Sequence, residues 1–191
     1  MPLMVYTPQE VAAMSGAPLS VVQKAVTAGR IPARTDRRSH RRRLDGAALL
    51  AFALVQALPK ELRVSPADAY RLVKQSDLSV TEMTGDLMIG DLVRIDAGKA
   101  LAPARRRMRL YERARDLIVS DPDIMGGTPT IRGTRITAQA ILGRLEAGDT
   151  IATILDDYPY LDQETVEAAA LFATANPPRG RPAGELWHPA S

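Results

Sequence analysis

Asp121-Pro122-Asp123-Ile124-Met125-Gly126-Gly127-Thr128-Pro129-Thr130-Ile131-Arg132-Gly133-Thr134-Arg135-Ile136-Thr137 is a stretch made for turns. Pro122 fixes its own φ and pushes Asp121 out of the helical region, so Asp121-Pro122 favours turn initiation. Gly126-Gly127 can reach positive φ, and Pro129 stiffens the chain again. Thr130-Ile131 and Thr134-Arg135-Ile136 read as two short β arms around Arg132-Gly133. A phosphate-cradling loop is not expected, because Gly127 and Gly133 enclose five residues rather than four and no Lys follows.

Downstream, the apolar spacing is helical. Thr137 caps a helix with Ala138, Ile141, Leu142 and Leu145 that stops at Gly148. Asp149-Thr150 opens a second helix with Ile151, Ile154 and Leu155, broken at Tyr158-Pro159. Asp162 opens a third through Ala175, burying Val166, Ala169, Ala170 and Phe172. Three short helices make a trihelical unit of helix-turn-helix type. Its last helix carries Glu164 and Glu167 and no basic residue, so phosphate would repel it. That points to dimerisation or partner docking rather than groove reading.

The same residues resemble the domain-of-unknown-function family numbered 433. The resemblance rests on Gly126, Gly127, Pro129, Ile131, Gly133, Thr134 and Arg135, then Gly148, Tyr158, Pro159 and Leu161. It covers somewhat under a third of the chain. It implies a small helix-turn-helix-like domain of the kind found in VapB-type antitoxins encoded beside a PIN-domain toxin.

The other end of the chain has its own start. Thr7-Pro8-Gln9-Glu10 forms a capping box with Pro at the tolerated first position. The short helix of Val11, Ala12 and Met14 ends at Gly16. A second runs from about Pro18 with Leu19, Val22 and Val26 inward, and Gly29 is placed to cap it. Arg30 to Arg34 then leaves as an extended segment, and Asp36 to Leu44 returns as a second strand, giving a wing. Asp45 caps a helix through Leu58 whose Leu49, Leu50, Phe52, Leu54 and Val55 point in nearly every direction. Such a helix is buried on all sides, under the following segment or a second subunit. This order, with its opening Tyr6-Thr7-Pro8-Gln9-Glu10-Val11-Ala12, resembles the winged helix of MerR-type regulators and excisionase-like proteins.

Charge carries the functional expectation. Five arginines and one histidine fall between Arg37 and Arg43, enough to neutralise several phosphates and release their counterions. The candidate DNA contacts are Ser20, Gln23, Lys24 and Thr27 on the second helix, with Arg34, Arg37, Arg38, His40, Arg41, Arg42 and Arg43 on the wing. Between Thr137 and Asn176 the sign reverses, with Arg144 against Glu146, Asp149, Asp156, Asp157, Asp162, Glu164 and Glu167. A basic front and an acidic back suggest different partners.

Between these ends, Ser65-Pro66 opens a helix through Gln75, and two apolar runs flank Gly90-Asp91, a hairpin dipeptide. From about Leu101 to Asp116 a basic helix is expected, with Pro103 in its first turn and Leu101, Ala104, Met108, Tyr111 and Ala114 as its buried stripe. It is either a second DNA-backbone contact, a surface for an acidic partner, or a connector. From Asn176 the chain turns Pro- and Gly-rich, without a periodic apolar face. On the antitoxin resemblance, Arg179 and Arg181 reach a toxin's acidic metal site, and Trp187, the one tryptophan, anchors the contact.

The expected architecture is mainly α with small β hairpins. It divides into a winged helix-turn-helix over 1–60, connecting helices and hairpin over 61–116, a trihelical domain over 117–176 and a tail over 177–191. With no cysteine, two histidines and no apolar run long enough to span a bilayer, a cytoplasmic protein without disulfides, metal or other cofactor is expected. No nucleophile, base and oxyanion donors can be paired, so an enzyme is not expected. The expected function is an antitoxin acting as a homodimer, which binds its operator as an autorepressor and neutralises a PIN-domain ribonuclease. The alternative is a transcriptional regulator without a toxin.

Overall fold

The computed structural model describes residues 5–37, 39–76, 85–90 and 93–178. Its N-terminal part begins with β1 (Val5–Tyr6) and α1 (Pro8–Ser15). Thr7 closes the capping box: its Oγ1 accepts the Glu10 amide at 3.2 Å, and the Glu10 carboxylate accepts the Thr7 amide at 2.6 Å. α2 (Leu19–Thr27) buries Val22, Ala25 and Val26 at helical spacing. It ends in a double-bonded turn in which Gly29 N–H donates to Val26 O and Arg30 N–H to Ala25 O, with Gly29 at φ +67°. This turn sends the chain into β2 (Arg34–Thr35), which pairs antiparallel with β3 (Arg42–Asp45). β1 pairs with the other edge of β3, completing a three-stranded sheet ordered β1-β3-β2. A strand as short as β1 leaves no alternation to read.

α3 (Gly46–Ala57) follows directly, with Asp45 Oδ1 accepting the Ala48 amide at 2.9 Å. Every residue from Ala48 to Leu54 is buried. The following segment, α4 (Pro66–Gln75), supplies much of that cover together with α1 and α5. β4 (Asp86–Ile89) and β5 (Val93–Asp96) form a second, antiparallel hairpin.

α5 (Ala97–Leu117) begins four residues before its apolar periodicity does, because Asp96 caps it by accepting the Lys99 amide at 3.0 Å. Pro103 therefore lies inside the helix rather than in its first turn. The buried stripe is Ala97, Leu101, Ala104, Met108, Leu110, Tyr111 and Ala114.

The central stretch is stapled differently from the expected hairpin. β7 (Thr130–Ile131) pairs with β6 (Ile118–Val119), which directly follows α5. The second arm is reduced to one bridge, Thr130 to Thr137, and a hydrogen bond from Ile131 N–H to Ile136 O at 2.9 Å. Thr134 explains the shortening. Its hydroxyl donates to Ile131 O at 2.9 Å and accepts the Ile136 amide at 3.0 Å, turning the chain before a strand can extend.

α6 (Ala138–Glu146), α7 (Ile151–Asp157) and α8 (Gln163–Ala175) follow, capped by Thr137, Thr150 and Asp162. The molecule is mainly helical with small antiparallel sheets. One core gathers α1 to α5 and the end of α8, and the other gathers β6, β7 and α6 to α8. Phe172 packs against both.

Candidate nucleic-acid interface

The polar face of α2 is the natural starting point. Ser20, Gln23, Lys24 and Thr27 are all exposed, on the side opposite the buried Val22, Ala25 and Val26. Beside them the β2–β3 hairpin carries Arg34, Arg37, His40, Arg41 and Arg42, all exposed. Arg42 Nη1 donates to Thr27 Oγ1 at 3.0 Å and so ties the hairpin to the helix. Asp36 shapes the hairpin tip: its Oδ1 accepts the Ser39 amide at 2.8 Å, and its backbone amide donates to Arg41 O at 2.8 Å. Arg38 lies outside the described residues.

Pairing places Arg34 directly opposite Arg43 and Thr35 opposite Arg42. Like charges across a ladder repel. Arg43 has a carboxylate partner, with Nη1 3.8 Å from Glu10 Oε2, and its side chain is 28% exposed. Of the described arginines, Arg34, Arg37, Arg41 and Arg42 are exposed, while Arg43 leans on the first turn of α1.

Glu10, marked in the sequence only as the capping-box carboxylate, is also a hub for distant residues. Beyond the Thr7 amide and Arg43, it accepts the Tyr111 hydroxyl at 2.7 Å. Asn176 Nδ2 in turn donates to the Tyr111 oxygen at 3.1 Å and to Phe172 O at 2.9 Å. Burial, foremost, pushes the Tyr111 hydroxyl above its ordinary pKa, which keeps it a proton donor to Glu10. Tyr111 also stacks on Phe172, with centroids 6.2 Å apart and rings inclined by 17°. The end of α8 is therefore tied through α5 to the first turn of α1, next to the basic hairpin.

That arrangement opens a groove of about 760 Å³. Gln23, Thr27, Arg41 and Arg42 line one side, and Asn176, Pro177 and Pro178 the other. Sequence spacing carried no sign that the chain's last described residues stand beside α2.

The acidic end is partly self-neutralised. Glu167 pairs with Arg106, and Glu164 lies 3.4 Å from Arg113 Nε, so the acidic face of α8 is turned onto the basic face of α5. These two carboxylates, named above for repelling phosphate, thus each have an arginine partner within the chain. This pairing also accounts for part of the arginine content of α5. Arg144 joins Asp149 at 2.5 Å and Asp157 at 2.6 Å, and stands over the Tyr158 ring. The carboxylate hydrogen bonds raise the Arg144 pKa further. Exposed acid remains at Glu146 and Asp156.

The Gly- and Thr-rich stretch has defined work. The Arg132 guanidinium donates to Asp116 O at 2.7 and 3.2 Å, capping the end of α5, while Thr134 closes the turn toward α6. Residues 118–173 match the family model described as "Protein of unknown function (DUF433)". The chain carries a DUF433 domain. In it, Gly133 sits at φ +76°, a conformation other residues adopt at a cost, and Arg135 is exposed. "Uncharacterized protein y4eO" of Sinorhizobium fredii (strain NBRC 101917 / NGR234) is 36% identical over 91 residues, 48% of this chain and 41% of that protein. The chain thus spans under half the length of that relative. A crystal structure of Rv2018 from Mycobacterium tuberculosis covers 88% of this chain and 97% of its own, at 16% identity and a TM-score of 0.31.

Among the described residues, no group of three or more His, Asp or Glu side chains could hold a metal ion, and no helix is long and apolar enough to cross a membrane. Arg179, Arg181 and Trp187, the expected toxin contacts, lie outside the described residues.

Proposed function

We propose that the protein is the DNA-binding antitoxin of a type II toxin–antitoxin pair. In this reading α1, α2 and the β2–β3 hairpin act as a winged helix-turn-helix, α2 entering the major groove while the hairpin holds the flanking phosphates. One observation carries it: the exposed polar face of α2 is joined to an outward-facing arginine hairpin by the bond from Arg42 to Thr27. Repulsion between Arg34 and Arg43 across the ladder is a cost that an anionic ligand relieves.

The partner half of the reading rests on the resemblance to VapB-type antitoxins. The C-terminal portion, with Trp187 as an anchor, binds and silences a PIN-domain ribonuclease, and a homodimer presents two reading heads to a two-fold operator. The test is to mix the full chain with the PIN-domain ribonuclease encoded beside it and follow RNA cleavage, then repeat with operator-region duplex in a mobility-shift titration. Loss of cleavage together with a shifted duplex is expected. A shifted duplex with cleavage unchanged identifies a regulator without a toxin, and no shift at all removes the DNA-reading function.

A further inference from the structure

An exposed apolar side chain stands among the polar ones of α2. Val22, Ala25 and Val26 are buried, and Ser20, Gln23, Lys24 and Thr27 occupy the outer face. Val21 is 39% exposed beside them. It lies in the first turn, where its amide donates to Pro18 O at 3.0 Å. At about 3.6 residues per turn, Ser20 and Lys24 share a row, and Val21 sits roughly 100° round from Ser20. Gln23 is on the flank that lines the groove with Arg41 and Arg42. Two positions separate Gln23 from Val21, about 200° of turn, so Val21 marks the opposite flank.

From this placement we infer that Val21 is a specificity-determining residue that packs on the C5-methyl group of a thymine in the major groove. The inference rests on the DNA-reading role proposed for α2 and the β2–β3 hairpin, and extends it from phosphates to one kind of base.

The position and the chemistry suit that occupant. A recognition helix presents its N-terminal residues to the base edges, and Val21 is in that turn. Valine cannot hydrogen-bond a base edge or a phosphate. The thymine methyl is the apolar group that a base pair offers in the major groove, and it is absent from G·C pairs. The surroundings favour a polyanion: α2 has no acidic residue, Lys24 is one turn from Val21, and Arg34, Arg41 and Arg42 are exposed on the hairpin. A second copy seated on the same face would set two basic surfaces against each other.

One operator-region duplex, synthesised with thymine or with uracil throughout, isolates the contact, because the two forms differ only at the C5-methyl groups. Fluorescence anisotropy of the full chain is expected to show the thymine form bound about fourfold tighter, the scale of burying one methyl group. V21S should bind the two forms alike, with its unfolding temperature unchanged. R41A/R42A should weaken both forms equally and keep the ratio. Equal binding by wild type, or a ratio that V21S retains, overturns the thymine contact and leaves the reading head in place. Wild type binding neither form overturns both. R41A/R42A binding both forms like wild type overturns the hairpin's part, and the thymine contact still stands if V21S abolishes the ratio. A V21S chain that differs from wild type in oligomeric mass places Val21 between copies and overturns the contact.

Discussion

Asn176 donates its Nδ2 hydrogen to the Tyr111 hydroxyl at 3.1 Å, across 65 residues of sequence. The same hydroxyl donates to Glu10, so three helices meet at one polar point between the two cores. Tyr111→Phe keeps the stack on Phe172 and removes only the hydroxyl. Urea denaturation is expected to show a loss of about 1.5 to 3 kcal/mol, the range for a hydrogen bond to a charged acceptor. No loss means that the three-helix junction is held by packing alone.

Two glycines in the C-terminal domain should respond to alanine with opposite signs. Gly133 has φ +76° and open space around its missing Cβ, so Gly133→Ala is expected to cost about 1 kcal/mol through backbone strain alone. Gly143 lies within α6, also with nothing near its missing Cβ, so Gly143→Ala is expected to stabilise by about 0.5 to 1 kcal/mol. Thermal unfolding of both variants checks the pair.

How much of this was readable beforehand depends on the range of the interaction. The capping residues Thr7, Asp45, Thr137 and Asp162 start helices where the sequence places them, because each cap is a bond within three residues. α5 began early because Asp96 caps a segment, Ala97 to Ala100, with no apolar periodicity of its own. β7 took Ile118–Val119 as partner because Thr134 turns the nearer arm away, a choice of side-chain bonding that strand patterning does not register. In the candidate site, the exposed face of α2 followed from helical spacing. Glu10, Tyr111 and Asn176 did not, since three single residues on three helices leave no motif.

The α5–α8 contact is electrostatic as well as apolar. A double-mutant cycle on Arg106 and Glu167 should give a coupling of about 0.5 kcal/mol at low salt, shrinking toward zero as salt rises. Arg106 is 57% exposed, so a larger coupling is not expected. Zero coupling at low salt shows that α5 and α8 are held together without this pair.

Acid should loosen α8 first at its start. Hydrogen bonding from the Thr165 side chain, and then from its amide, holds the Asp162 carboxyl below its ordinary value. A depressed carboxyl stabilises the fold above its unfolded value of about 3.9, and that stability disappears as pH falls through the lower folded value. Asp162→Asn keeps a capping side chain without the charge. Its unfolding free energy is expected to fall less than that of wild type over that acid range. Equal losses mean that other carboxylates dominate acid unfolding.

The salt dependence of duplex binding tests the reading head most directly. Plotted as log affinity against log salt concentration, wild type should give a steep line. R41A/R42A should flatten its slope by about 2 while the variant remains folded, since each lost phosphate contact removes roughly 0.9. Parallel lines for the two proteins contradict the account, because they mean that Arg41 and Arg42, though exposed beside α2, touch no phosphate.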